Sequence, residues 1–231
     1  MPLPQRDACG HYSRYAGPGD TTHVTTFLIV RHGETDWNVA GRLQGWRDSP
    51  LTANGRAQAA AVADRLAGEP IDALVASDLG RTQETAAPIA AGLGLPVAPD
   101  PGLRERCYGI LEGMTWSEIE HRHSEAYRRL IARDQDYGVP EGESGIEFRD
   151  RVFDAFERLA AVHGEAQVAV VTHGGVLGIV YRRAHQIALE MPRTFVVPNA
   201  GLNRVRIEGR RWTIEAWADV GHLPEGALDD E

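Results

Sequence analysis

Three short aliphatic stretches, residues 24–30, 73–77 and 168–171, each lead into a polar or glycine-bearing turn and then into a segment of helical pattern. Apolar runs of this length, bounded in this way, form buried strands. A shorter one spans residues 95–98. Residues 52–66 are alanine-rich and helical, with Thr52 placed to cap the first turn. Residues 80–91 read as a helix closed by Gly92 or Gly94, in which Pro88 demands a kink. Residues 116–133 carry one amphipathic helical pattern with many charges. Ser144, with Glu147 three residues on, makes a capping box for a helix reaching His163. Residues 174–183 enter a helix straight from the preceding strand. Strands alternating with helices imply a mostly parallel sheet. Residues 202–207 and 212–217 alternate apolar and polar side chains around Glu208-Gly209, the pattern of a hairpin. The expected fold is α/β: a three-layer sandwich with a mostly parallel central sheet, helices on both faces and an antiparallel hairpin at one edge.

A chain of 231 residues, 42% hydrophobic, fits one such domain. We expect it over residues 23–222, between a loose N-terminal extension, 1–22, and an acidic tail, 223–231. The extension has no signal-peptide core, and no apolar run is long enough to span a membrane, so a cytoplasmic location is expected. A net charge of −9 argues against a general grip on nucleic acid or anionic lipid, since both need a cationic face. All 24 basic residues are arginine. Without lysine there is no Schiff-base chemistry, no lysine-anchored pyridoxal and no Walker-type phosphate lysine. Phosphate is still well served, because a guanidinium forks onto two oxygens. Cys9 and Cys107 form no CxxC pair and read as free thiols of a reducing compartment.

In open parallel sheets the ligand lies beyond the carboxyl ends of the strands. The first strand is followed by Arg31-His32-Gly33-Glu34-Thr35, the second by Asp78-Leu79-Gly80-Arg81, and the later one by Thr172-His173-Gly174-Gly175. Three strand ends thus deliver arginine and histidine beside glycines that let backbone approach a ligand. The Gly-Gly pair also opens a helix, whose first N–H groups favour an anion. A transferring phosphoryl group carries negative charge that such donors stabilise. A neutral imidazole nitrogen can attack phosphorus in line and form a phosphohistidine. A second histidine, when protonated, can hydrogen-bond an equatorial oxygen. A carboxylic acid can protonate the leaving alkoxide, and Glu105, in Leu103-Arg104-Glu105-Arg106, lies in a loop able to reach the same strand ends.

These residues carry a resemblance. Arg31-His32-Gly33-Glu34-Thr35 with Trp37-Asn38 resembles the signature of the histidine phosphatase superfamily, in its phosphoglycerate mutase-like branch. Gly41-Arg42-Leu43-Gln44-Gly45, Ser77-Asp78-Leu79 with Arg81, Leu103-Arg104-Glu105 with Glu112-Gly113, Gly142-Glu143-Ser144 and Thr172-His173-Gly174-Gly175 resemble further family blocks in family order. The likeness runs from about residue 24 to about residue 217. It implies that His32 is the phosphorylated nucleophile and that Arg31, Arg81 and His173 complete the phosphate pocket. It implies that Glu105 protonates the leaving group and then serves as base for water. Asn38, Thr35, Gln44 and Gly174 match positions that contact substrate or phosphate. No metal and no cofactor are expected.

Plainer readings stand beside these. Arg81 could be a surface helix residue paired with Glu84 or Glu105, and Glu105 only an ion-pair partner. His121 and His123, two apart on a helical pattern, point apart and make no zinc pair. Trp37 and Trp46 read as packing residues and Arg128 and Arg129 as solvated; Arg182 and Arg183 answer a helix dipole. The same pocket also serves two outcomes. Mutases of the resembled family share a long insertion after the Glu-Gly motif, with paired arginines and a proline-rich stretch, whereas residues 113–142 are short and hold no such block. The expectation is therefore a phosphatase acting on a small phosphorylated metabolite, with residues 116–136 setting specificity. A phosphoglycerate mutase using the same phosphohistidine is the alternative, and a non-catalytic sensor of phosphorylated ligands is the reading from another class. The open edge of the hairpin leaves a homodimer in play.

Overall fold

The computed structural model describes residues 23–224, so the expected extension, Cys9 and most of the expected tail lie outside the described residues. The elements are β1 (Val24–Arg31), α1 (Asp36–Val39), α2 (Ala53–Leu66), β2 (Ala73–Ala76), α3 (Gly80–Leu93), β3 (Val97–Pro99), α4 (Trp116–Arg122), α5 (Ser124–Ile131), α6 (Gly145–His163), β4 (Gln167–Thr172), α7 (Gly174–His185), β5 (Leu202–Glu208) and β6 (Arg211–Asp219). The strands form one sheet in the order β3-β2-β4-β1-β5-β6. β3, β2, β4 and β1 are parallel; β5 and β6 add an antiparallel pair at one edge, as the hairpin pattern requires.

Both faces of the central strands are apolar, which is why their sequences read as unbroken aliphatic runs. Phe27, Ile29, Val168 and Val170 face α6 and α7, where Phe148, Val152, Phe156 and Leu177 meet them. Leu28, Val30, Ala169 and Val171 face α2 and α3, where Val62, Leu66, Ala86 and Ile89 complete the core. Each large side chain buried here contributes about 1.5–3 kcal/mol. Phe156 stands edge-on to Phe27 at 5.3 Å and to Trp212 at 5.5 Å.

The expected caps are present. Thr52 Oγ1 accepts from the Gly55 N–H at 2.9 Å, and Ser144 and Glu147 exchange both bonds of a capping box. α3 runs past Pro88, which removes one backbone bond, and is closed by Gly94 in the left-handed region, φ +68°. The single helix expected over 116–133 is instead two. His123 leaves the helical region (φ −135°, ψ 49°) between α4 and α5. The break lets Ile119 and Ala126 both reach a small core of their own with Leu111 and Val139. Among the described residues no helix is long and apolar enough to cross a membrane.

The parallel register sets the strand ends level. Arg31 pairs with Thr172, and Ala76 with Val171. Beyond them, the His32 N–H donates to the Thr172 carbonyl at 2.9 Å and the Ser77 N–H to that of Val171 at 3.0 Å. The start of α2 presses on the same edge. A Cβ on Gly33 would lie 2.4 Å from the Gly55 carbonyl oxygen, and one on Gly55 would lie 2.0 Å from that of Glu34. Gly55→Ala is therefore expected to cost about 3 kcal/mol through backbone displacement. Urea unfolding measures it, and an unchanged midpoint would show that this contact yields freely.

Candidate active site

His32 follows β1 and is 3% exposed. Its Nδ1 lies 2.8 Å from the Gly33 carbonyl oxygen. A carbonyl only accepts, so Nδ1 carries the proton and Nε2 keeps its lone pair. Burial, then the charges of Arg81 and Arg31, hold the imidazole well below the ordinary histidine value of 6.5. The ring is thus neutral, oriented and nucleophilic at one nitrogen. Asn199 holds the backbone beneath it, donating to the His32 carbonyl at 2.9 Å.

Arg81, on the first turn of α3, is 1% exposed, so the surface reading fails. It donates to the carbonyls of Arg47 at 2.9 Å and Gly45 at 2.8 Å, and to Asp48 at 3.2 Å. That loop is itself pinned by Glu112, which accepts from the Trp46 and Arg47 N–H groups at 2.9 and 3.0 Å. The Arg81 Nε is buried without an acceptor among the described residues. Arg31 sits beside the site, anchored on the Val197 carbonyl at 2.6 Å.

His173 caps α7 and is fully buried, its ring edge-on to that of His32 at 5.3 Å. Nε2 lies 2.9 Å from Ser77 Oγ, which also accepts weakly from the Leu79 N–H at 3.4 Å. With the hydroxyl donating to Nε2, the ring proton sits on Nδ1. That Nδ1 is buried without a partner among the described residues. Burial, then Arg81, His32, Arg31 and Arg151, hold this ring well below 6.5 as well. Without a bound anion the second histidine is thus held neutral. A neutral His173 already presents an N–H, and desolvation among arginines disfavours a further charge. Buried polar groups left unpaired cost about 1–3 kcal/mol each, so two such donors beside His32 mark where an anion would be stabilised.

Glu105 lines the same cavity as His32 and Arg81. It pairs with neither flanking guanidinium: Arg104 forks onto Asp78, and the Arg106 side chain donates to the carbonyls of Glu143 and Tyr137 at 3.2 Å. Glu105 Oε2 instead accepts from the Gly175 N–H at 2.8 Å, and Oε1 from the Arg106 N–H at 2.7 Å. Its carbonyl accepts from Trp46 Nε1 at 2.8 Å and from Arg151 at 3.0 Å, with Arg151 ion-paired to Glu143 at 2.6 Å. Trp46 and Arg151, the latter paired with Glu143, hold the backbone of Glu105, a role the sequence did not assign to them. Trp46, expected to pack, spends its indole N–H on the backbone of the acid.

Asn38, Gln44 and Gly174 line the cavity too. Gln44 is 8% exposed, and its Oε1 has no donor among the described residues. Thr35 is not in the cavity wall. It is buried as the cap of α1, and its Oγ1 accepts from the Asn38 N–H at 3.1 Å and donates to Asn38 Oδ1 at 2.9 Å. It thereby fixes Asn38, whose side-chain oxygen is taken up by Thr35. The cavity measures about 600 Å³, and seven arginines line it against two carboxylates, Glu105 and Asp134. A protein of net charge −9 thus focuses positive potential in one cleft. Arg128 and Arg129 stay outside it, paired with Glu125 and Asp134. Among the described residues no group of three or more His, Cys, Asp or Glu could hold a metal ion.

Level strand ends bearing a neutral histidine, a buried arginine and a second histidine, facing a carboxylate, suit phosphoryl transfer through histidine. The chain belongs to the histidine phosphatase superfamily: residues 27–220 match its branch 1. It is 41% identical over 206 residues to a metal-independent phosphoserine phosphatase of Arabidopsis thaliana, covering 87% of this chain and 84% of that one. A probable phosphoglycerate mutase, GpmB, of Serratia proteamaculans is 36% identical over 207 residues, covering 87% and 96%. Among solved structures, Bacillus stearothermophilus YhfR superposes with a TM-score of 0.80 at 31% identity, covering 87% of this chain and all of that one (100%). The family and the fold expected from the strand-end motifs are thereby established, and both phosphatases and mutases stand among the relatives.

Two outcomes follow from the geometry. An unfolded chain protonates both histidines as pH falls through about 6.5, whereas the folded protein does so only at lower pH. Stability is full above that value and is lost below it, by about 1.4 kcal/mol per pH unit for each ring. Urea unfolding from about pH 7 to about pH 5 should show this slope, and His32→Asn should remove one share; equal slopes in both proteins would contradict a neutral His32. Separately, a Cβ on Gly175 would sit 2.0 Å from Glu105 Oε1. Gly175→Ala should expel the carboxylate and lower kcat on an alkyl phosphomonoester about 100-fold, with the far-ultraviolet spectrum unchanged. Wild-type turnover in that variant would remove Glu105 from the reaction.

Proposed function

We propose that this protein is a phosphatase that hydrolyses a small phosphomonoester through a phosphohistidine on His32. The observation that carries the reading is the Gly33 carbonyl on Nδ1, which leaves a neutral Nε2 lone pair at the foot of an arginine-lined cavity. Nε2 attacks phosphorus as the bond to the ester oxygen breaks. Arg31, Arg81 and the Nδ1–H of His173 hold the equatorial oxygens. Asn38, Gln44 and the Gly174 backbone bear on the bound group, with Thr35 acting through Asn38. Glu105, protonated, gives its proton to the departing alkoxide. It then takes a proton from the water that attacks the phosphoryl group, and inorganic phosphate leaves with His32 neutral again.

Water is favoured over a second hydroxyl as acceptor for two reasons. Residues 113–142 lack a long proline-rich insertion, and a phosphoserine phosphatase stands at 41% identity. Phosphoserine is accordingly the first substrate to assay. The protein should release phosphate from phosphomonoesters in the presence of a chelator, and His32→Ala should lower this by at least about a thousandfold. Acid-labile phosphate should be trapped on the wild-type protein and not on the variant. Efficient interconversion of phosphoglycerates with negligible hydrolysis would replace the phosphatase reading with the mutase one. Failure to label His32 with any substrate would leave a sensor.

A further inference from the structure

The cavity extends well beyond the phosphate pocket, along one face of α7. Gly174, Gly178 and Arg182, four residues apart in turn, all line it. They fall on one stripe of the helix. The glycines leave the stripe flat, and a Cβ on Gly178 would meet nothing within 4 Å. Eight residues of helix separate the backbone of Arg182 from Gly174 by about 12 Å, and the side chain leans back toward the N-terminus, shortening the gap.

Arg182 does more than answer the helix dipole, the role its place near a helix end suggested. It is 8% exposed, and its guanidinium donates to the carbonyls of Ala188 and Met191, both at 2.7 Å. Phe195 lies beneath it, 5.8 Å from the ring centroid. Burial, then the charges of Arg133 and Arg193, pull it below the ordinary arginine value, and Glu190 offsets part of this. Arg133 reaches the same end of the cavity from beyond α5. Its backbone is left-handed, φ +56°, a conformation costly for a residue with a Cβ. Among the described residues neither the Arg133 nor the Arg182 guanidinium is in an ion pair. The one carboxylate nearby in the wall, Asp134, is engaged by Arg129 at 2.6 Å. Gathering cations in a half-buried wall whose nearby carboxylate is already engaged is unfavourable unless an anion visits.

We infer that Arg133 and Arg182 form a second anion-binding subsite, which selects phosphomonoesters carrying a remote negative group, one to two helical turns from the scissile phosphorus. The inference deepens the phosphatase reading and rests on it for the identity of the first group. Ile179, Leu189 and Phe195 also line the cavity and suit an uncharged body. Phosphoserine, whose carboxylate stands next to its phosphate ester, is too short to fill both subsites. Carboxylate and phosphate share the chemistry needed at the far end.

Binding of non-hydrolysable phosphonates tests this without turnover. Calorimetry would compare ω-phosphonoalkanoates of increasing length with alkyl phosphonates of the same length, and a bisphosphonate series would separate phosphate from carboxylate as the remote group. At the matching length the doubly anionic ligand should bind about tenfold tighter or more. Arg133→Gln should erase that gain and leave the alkyl phosphonate unaffected. Arg182→Gln should do the same, and if it unfolds the protein, Arg133→Gln still decides. Equal affinities of charged and uncharged ligands at every length, or a gain that survives Arg133→Gln, overturns the subsite. If the gain is present but no phosphomonoester is hydrolysed, the phosphatase reading falls and the subsite stands.

Discussion

Arg81 carries a permanent charge into a place from which water is excluded, and it is held there by two backbone carbonyls and Asp48. A guanidinium so placed acts on everything near it. Among nearby charges it does most to keep His32 and His173 neutral, after burial itself. The charges of Glu105 and Asp48 in turn favour the ionised form of Arg81, against the cost of its burial. Burying a lone cation is costly. Here a loop offers three carbonyl and carboxylate acceptors, and Glu112 keeps that loop from relaxing away. The site depends on this arrangement more than on any hydrophobic contact, because without it the nucleophile would lose its electrostatic setting.

The sheet supplies the complementary constraint. Parallel pairing of β1, β4 and β2 with level ends places groups 31–32, 77 and 172–173 on one edge. Rotating or slipping a central strand by one residue would send its alternating side chains to the wrong face of a two-sided core. The geometry of the phosphate pocket is thus held by the same packing that holds the fold. Glu105, by contrast, comes from a loop, and it is steadied through its backbone by Trp46 and Arg151.

What could be read from the chain followed from this division. His32, Arg81 and His173 were legible because two directly follow a recognisable strand and the third opens the helix after one, and the carboxyl-end rule turns those positions into a site. The hairpin and the Thr52 and Ser144 caps were legible because their signals are local. Trp46 was not, since its indole meets a carbonyl 59 residues away in sequence. Arg182 looked like a helix-end cation because local pattern reports the helix and says nothing about which wall it lines. Thr35 sits in the signature motif, yet it works one step removed, as a cap. The break at His123 was hidden because Ile119 and Ala126, seven residues apart, fit a straight amphipathic helix as well as a bent pair.

The small core of Leu111, Ile119, Ala126 and Val139 stands apart from the two cores that flank the sheet. It holds together the part of the wall that bears Trp116, Leu130 and Arg133. Substitutions there can accumulate without disturbing the packing beneath His32. The residues of the reaction stand on the sheet, whereas this part of the wall has a core of its own, so exchanging it between relatives would change the wall and leave the strand ends as they are.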